Sequence, residues 1–174
     1  MRISRGWSVA VFPAMLVACS PSLDWRDVRP QDSGVTMLFP CRPDPHERSV
    51  RMAAVDLRMQ MVSCNAAGAT FSLVYVDAPQ AAQGAPLLAE LRARAAANVG
   101  GTAVARTFLV PGATPNEQSA ALRIEGRLPD GRRVIEHAAF FARGLRLYQV
   151  TAIGETVSPD AVETFFGAVK VVPA

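Results

Sequence analysis

Residues 133–153 read Arg133-Val134-Ile135-Glu136-His137-Ala138-Ala139-Phe140-Phe141-Ala142-Arg143-Gly144-Leu145-Arg146-Leu147-Tyr148-Gln149-Val150-Thr151-Ala152-Ile153. Arg143-Gly144 is a turn signal between two runs rich in aromatic and branched residues, so the stretch reads as a hairpin of strands over 132–142 and 145–153. Both strands are apolar on both faces: Val134, Ala138 and Phe140 alternate with Ile135, Ala139 and Phe141, and Leu145 and Leu147 with Tyr148 and Val150. Successive strand residues point to opposite sides, so both sides of this sheet need a cover. An antiparallel sheet flanked by helices meets that need, and the fold class is α+β with an α/β/α sandwich.

Upstream, residues 103–110 and 120–128 read as further strands, joined by Pro111-Gly112 and, before the hairpin, by Pro129-Asp130-Gly131; such short joins imply an antiparallel meander. The clearest helix spans 86–99, with Pro86 suited to its first turn, Leu87, Leu88, Leu91, Ala95 and Val99 on one stripe, and Gly100-Gly101 past its end. Arg92 and Arg94 are expected to face water. Earlier still, 34–40, 48–52, 55–64 and 70–76 read as strands, with a proline-locked loop over 42–46 and a turn over 65–68. Residues 24–29 alternate and place Trp25 and Val28 against the domain edge. At the other end, Ser158 is suited to cap a helix with Pro159 at its first position and Val162, Phe165 and Phe166 inward.

Several of these segments together resemble a known family. Phe39-Pro40, Tyr75-Val76-Asp77, Asn98-Val99-Gly100-Gly101, Pro129-Asp130-Gly131 and the run 144–150 before a Phe-rich helix resemble PsbP-like domains of bacterial secreted proteins. That fold is shared with photosystem extrinsic proteins and a Ran-binding import factor. The resemblance implies an antiparallel sheet flanked by helices and a binding or assembly role, and it supplies no catalytic residue.

The N-terminus carries a separate signal. Arg2 and Arg5 precede an apolar run over 7–17 that is too short for a permanent membrane span. It ends in Leu16-Val17-Ala18-Cys19, which resembles the lipobox of bacterial lipoproteins. The expected organisation is a signal peptide over 1–18, a lipidated Cys19 with a tether over 19–33, and one globular domain over 34–174. Acyl chains on Cys19 would bury enough methylenes to hold the domain at a membrane without spanning it. Ser20 is compatible with outer-membrane sorting, since no aspartate retention signal follows Cys19. The expected location is therefore the bacterial cell envelope, with the domain facing the periplasm.

This changes the charge arithmetic. The 174 residues carry a formal charge of +3, with 50% hydrophobic and 19% charged residues. Removal of 1–18 takes away two arginines and no acid, leaving 16 basic and 15 acidic residues. A near-neutral domain argues against nucleic acid as a partner. Of the three cysteines, Cys41 and Cys64 remain in an oxidising compartment, and a hairpin between them brings the chain back toward its start, which suits a disulfide. Two reduced buried cysteines or a metal pair are the alternatives. Metal is short of ligands, with no CxxC and only His46 and His137 as histidines.

No catalytic motif of the GxSxG, P-loop, HExxH or dinucleotide type is present. Asp44, His46 and Glu47 are close together in a segment read as loop, where a solvated polar surface explains them more simply than a metal or proton relay does. Glu136 and His137 adjoin on a strand and face opposite ways, so they cannot act together directly, and His137 reads first as a strand histidine with its hydrogen bonds satisfied. Arg132, Arg133, Arg143 and Arg146 at the meander turns are a candidate basic binding surface, though a solvated rim explains them more simply because no aromatic residues are interleaved with them. The favoured expectation is a membrane-anchored, non-enzymatic envelope module that binds a protein partner or small ligand and has no cofactor. The alternative is a periplasmic hydrolase or metal-dependent enzyme using His46 or His137.

Overall fold

A computed structural model describes residues 22–172. The signal peptide and Cys19 expectations lie outside the described residues.

The architecture is mixed α+β and mostly antiparallel sheet. Strands β3 (Asp44–Met52), β4 (Val55–Ala66), β5 (Ala69–Asp77), β6 (Thr102–Arg106), β7 (Ala120–Arg127), β8 (Arg133–Arg143) and β9 (Arg146–Gly154) form one seven-stranded sheet. Its order is β3-β4-β5-β9-β8-β7-β6. Two meanders, β3 to β5 and β6 to β9, are therefore joined edge to edge by the antiparallel β5–β9 pair, in which Tyr75 lies opposite Tyr148. A smaller sheet, β1-β2-β10, is made of β1 (Arg26–Val28), β2 (Val35–Phe39) and β10 (Lys170–Val171).

Alternation along the central strands fills two cores. Phe71, Leu73 and Tyr75 of β5, Ala139 and Phe141 of β8, and Tyr148, Val150 and Ala152 of β9 face one side. There they meet Val35, Met37 and Phe39 of β2 and the inner face of α2 (Pro159–Gly167). Phe165 of α2 stands edge-on to Phe39 and Phe71, both at 5.1 Å, and Phe141 stacks on Tyr148 at 4.5 Å. The opposite face, with Val74, Val76, Ile124, Ala138, Phe140 and Leu147, is covered by α1 (Gly84–Asn98) through Leu87, Leu88, Leu91 and Ala95. Both faces of the sheet are thus covered, one by α1 and the other by α2 with the small sheet.

Cys41, just after β2, is bridged to Cys64 of β4 across a Cα–Cα distance of 6.0 Å. The bond ties the small sheet to the large one, so it crosses layers instead of merely closing a hairpin. Trp25 and Val28 pack against the α2-side core, and the Asp24 amide donates to the Pro40 carbonyl at 2.8 Å.

Three local expectations need correction. The segment read as a proline-locked loop over 42–46 enters β3 at Asp44. β3 pairs only with β4, and an edge strand tolerates Pro45 because one side of its ladder is open. The strand expected over 103–110 ends at Arg106, after which Phe108 turns inward against Phe141 and Phe166. Arg92 is half-buried rather than water-facing, and donates to Gln118 at 2.9 Å.

Candidate functional site

The four arginines expected to form one basic surface are split by the topology. Arg132 and Arg133 sit at the β7–β8 turn, whereas Arg143 and Arg146 face each other across the β8–β9 turn. The eleven residues of β8 separate the pairs, roughly 33 Å of extended chain. Arg132 is held by Asp130 at 2.8 Å. Arg146 donates to both Asp77 carboxylate oxygens at 2.7 Å and lies 5.8 Å from the Tyr75 ring centre, while Arg143 donates to the Gly112 carbonyl. Three of the four are thus engaged in holding turns and strand ends, and they form no single patch.

Asp44, His46 and Glu47 also separate once they lie on β3. Asp44 and His46 share a face, and Glu47 points to the other, where it pairs with Arg58 at 2.7 Å. That guanidinium holds the Glu47 carboxyl below its ordinary range. Among the described residues no group of three His, Cys, Asp or Glu converges as a metal site.

His137 has the more developed surroundings. In the β7–β8 ladder it lies directly opposite Arg123, and Arg123 lies opposite Val104 of β6. Arg106, two residues on from Val104, emerges on the same face because strand residues repeat every second position. The sheet here extends beyond the cover of α2, leaving a groove of about 570 Å³ between β6–β8 and the helix. One side carries Arg106, Arg123 and His137. The other carries Val162 and Phe166, with Glu163 at the rim and Ile135 on the floor.

The helix wall is fixed by local chemistry. Ser158 Oγ accepts from the Ala161 amide at 3.4 Å, Pro159 opens α2, and Asp160 lies in its first turn, where a negative charge suits the helix dipole. Burial of Ala161, Val162, Phe165 and Phe166 then sets the helix against the sheet.

The charged groups lining the groove are Arg106, Arg123 and Glu163. Arg123 is bonded to Glu125 on its own strand, while Arg106 makes no ion pair among the described residues. His137 is half-buried and makes no hydrogen bond to any described residue; desolvation first, then Arg123 and Arg106, push its pKa down from the usual histidine value. Across the strand, Glu136 is only 4% exposed among apolar neighbours, and burial raises its carboxyl to about 7. Glu136 faces α1, so the expected division of this pair between the two faces holds.

Sequence reasoning singled out His137 but missed Arg106, Arg123 and Glu163. Their signal is visible only once the register is known: an arginine on each of two adjacent strands, two residues out of step, on the face of a histidine. The chain matches no protein-family model and no curated protein, so its own residues carry the functional argument.

Proposed function

We propose that the chain is a lipid-anchored protein of the bacterial envelope whose domain, a PsbP-like sandwich, serves as a non-enzymatic binding module facing the periplasm. One observation carries this reading. The Cys41–Cys64 bridge accounts for two of the three cysteines and suits an oxidising compartment, and the third is the lipobox cysteine, Cys19. Among the described residues no helix is long and apolar enough to cross a membrane. An acylated Cys19, joined by a few residues to the packed segment at Leu23 and Trp25, would keep the domain close to the bilayer. The PsbP-like reading is supported by a two-faced antiparallel sheet with α1 and α2 on opposite sides.

A second reading draws on the concave surfaces beside both histidines, which a periplasmic hydrolase would need. The surroundings of His137 favour binding over hydrolysis. Its charged neighbours are two arginines suited to holding an anion, and the groove lining contributes no serine, threonine or cysteine as nucleophile.

Membrane fractionation of wild type and Cys19→Ala, followed by envelope crosslinking, tests the proposal. Wild type is expected in the membrane fraction with crosslinked partners or ligand, and Cys19→Ala in the soluble fraction. Retention of Cys19→Ala in the membrane would remove the lipid anchor from the account.

A further inference from the structure

The geometry points to the groove between β6–β8 and α2 as a binding site for a single-chain anionic amphiphile, with a carboxylate or phosphate head held by Arg106 and Arg123 and an apolar body lying along α2. This rests on reading the domain as a binding module and does not depend on the lipid anchor.

Three features converge on that ligand class. The first is charge. Arg106 and Arg123 come from adjacent strands on the same face, two register positions apart, and only Arg123 has a carboxylate partner among the described residues. An anion seated between them gains charge-assisted hydrogen bonds, for which the guanidinium fork is well shaped. The second is the unspent donor or acceptor capacity of His137, whose half-buried ring makes no hydrogen bond to any described residue, although it lies directly opposite Arg123. A head group at the arginines is within the natural reach of that ring.

The third feature is the opposite wall. Ile135 from the sheet and Val157 and Pro159 at the start of α2 are open to the groove, with the edges of the buried Val162 and Phe166 behind them, so a ligand lying past the arginines meets hydrocarbon. A fully hydrophilic anion leaves that wall in contact with water, whereas an alkyl chain covers it. At about 570 Å³ the groove falls within the range of roughly 300–1,000 Å³ typical of small-molecule sites. Glu163 at the open rim makes no ion pair with either arginine and disfavours a second negative charge there, which selects a singly headed ligand.

The test uses the full chain carrying Cys19→Ala, so binding is measured without the protein's own acyl groups and fails or succeeds independently of the anchoring experiment. Laurate, dodecyl phosphate and dodecyl maltoside, each below its micellar concentration, and inorganic phosphate are titrated with the His137 imidazole NMR signal as the local readout. Laurate and dodecyl phosphate are expected to shift that signal saturably, and the tighter of the two identifies the head group. Affinity should rise several-fold for each added pair of methylenes between octanoate and laurate. Arg106→Glu with Arg123→Glu, both at exposed positions, should weaken anion binding at least tenfold, and Ile135→Gln should flatten the chain-length dependence. Equal binding of dodecyl maltoside, binding of inorganic phosphate as tight as that of dodecyl phosphate, an unaffected arginine double variant, or an unmoved His137 signal would each overturn the assignment.

Discussion

Glu136 and His137 are consecutive in β8, yet Glu136 enters the α1 layer between Ile124 and Ile153 while His137 opens into the groove beneath α2 beside Arg123. Two adjacent titratable groups thus experience separate environments, and their pH responses separate as well.

For Glu136, burial lifts the carboxyl to about 7, and it makes no ion pair among the described residues. The folded state therefore holds a proton that the unfolded chain has released, and stability falls as pH rises from about 4.5 toward 7 and levels off above. Glu136→Gln removes the buried charge. It is expected to stabilise the protein by about 3 kcal/mol at pH 8 and by less than about 1 kcal/mol at pH 5. Urea denaturation at the two pH values measures the difference, and an equal effect at both would show that Glu136 does not titrate in this range.

For His137 the sign is opposite. Its folded pKa is depressed, so the unfolded chain takes up a proton first and the contribution to stability is lost as pH drops below about 6.5. NMR titration of the imidazole should give a midpoint below that of a free histidine. The midpoint should rise in Arg123→Ala, which removes one of the neighbouring cations.

The Cys41–Cys64 bridge spans 23 residues and connects two layers of the fold. Chain-entropy reasoning assigns about 3 kcal/mol to a loop of this length. The Cys41→Ala, Cys64→Ala double variant should unfold at correspondingly lower urea concentration. Wild type should show no free thiol at either position until it is reduced.

The chain leaving α1 crosses β7 at van der Waals limits. A Cβ at Gly126 would overlap the Val99 carbonyl oxygen, and one at Gly101 would overlap the Glu125 carbonyl oxygen. The Arg127 amide also donates to Val99 O at 2.7 Å, so the backbones cannot separate without losing that bond. Gly126→Ala is expected to destabilise the fold by at least about 2 kcal/mol, measured by thermal or urea unfolding. Gly131→Ala, where no atom lies within contact range but φ is +86°, should cost less.

The elements that sequence revealed are those whose signals are local. The two-faced apolar pattern over 133–153 led to a covered sheet, the Leu stripe and following glycines to α1, and Ser158-Pro159 to the start of α2. What stayed hidden depends on partners far along the chain. Nothing around 34–40 says that β2 leaves the main sheet to pair with β1 and β10, and Pro45 reads as a loop until β3 is known to be an edge. The groove failed to register for the same reason: Arg106, Arg123 and His137 come together only through the β6–β7–β8 register, whereas the arginines adjacent in sequence turned out to be parted by the length of β8.

Acylation of Cys19 is the step that would hold this domain at the envelope. Mass spectrometry of the N-terminal peptide of the protein isolated from its native membrane tests it most directly. The expected result is a peptide beginning at Cys19 with a diacylglyceryl thioether on its sulfur; a peptide beginning at Met1, or one carrying an unmodified Cys19, would rule the anchor out.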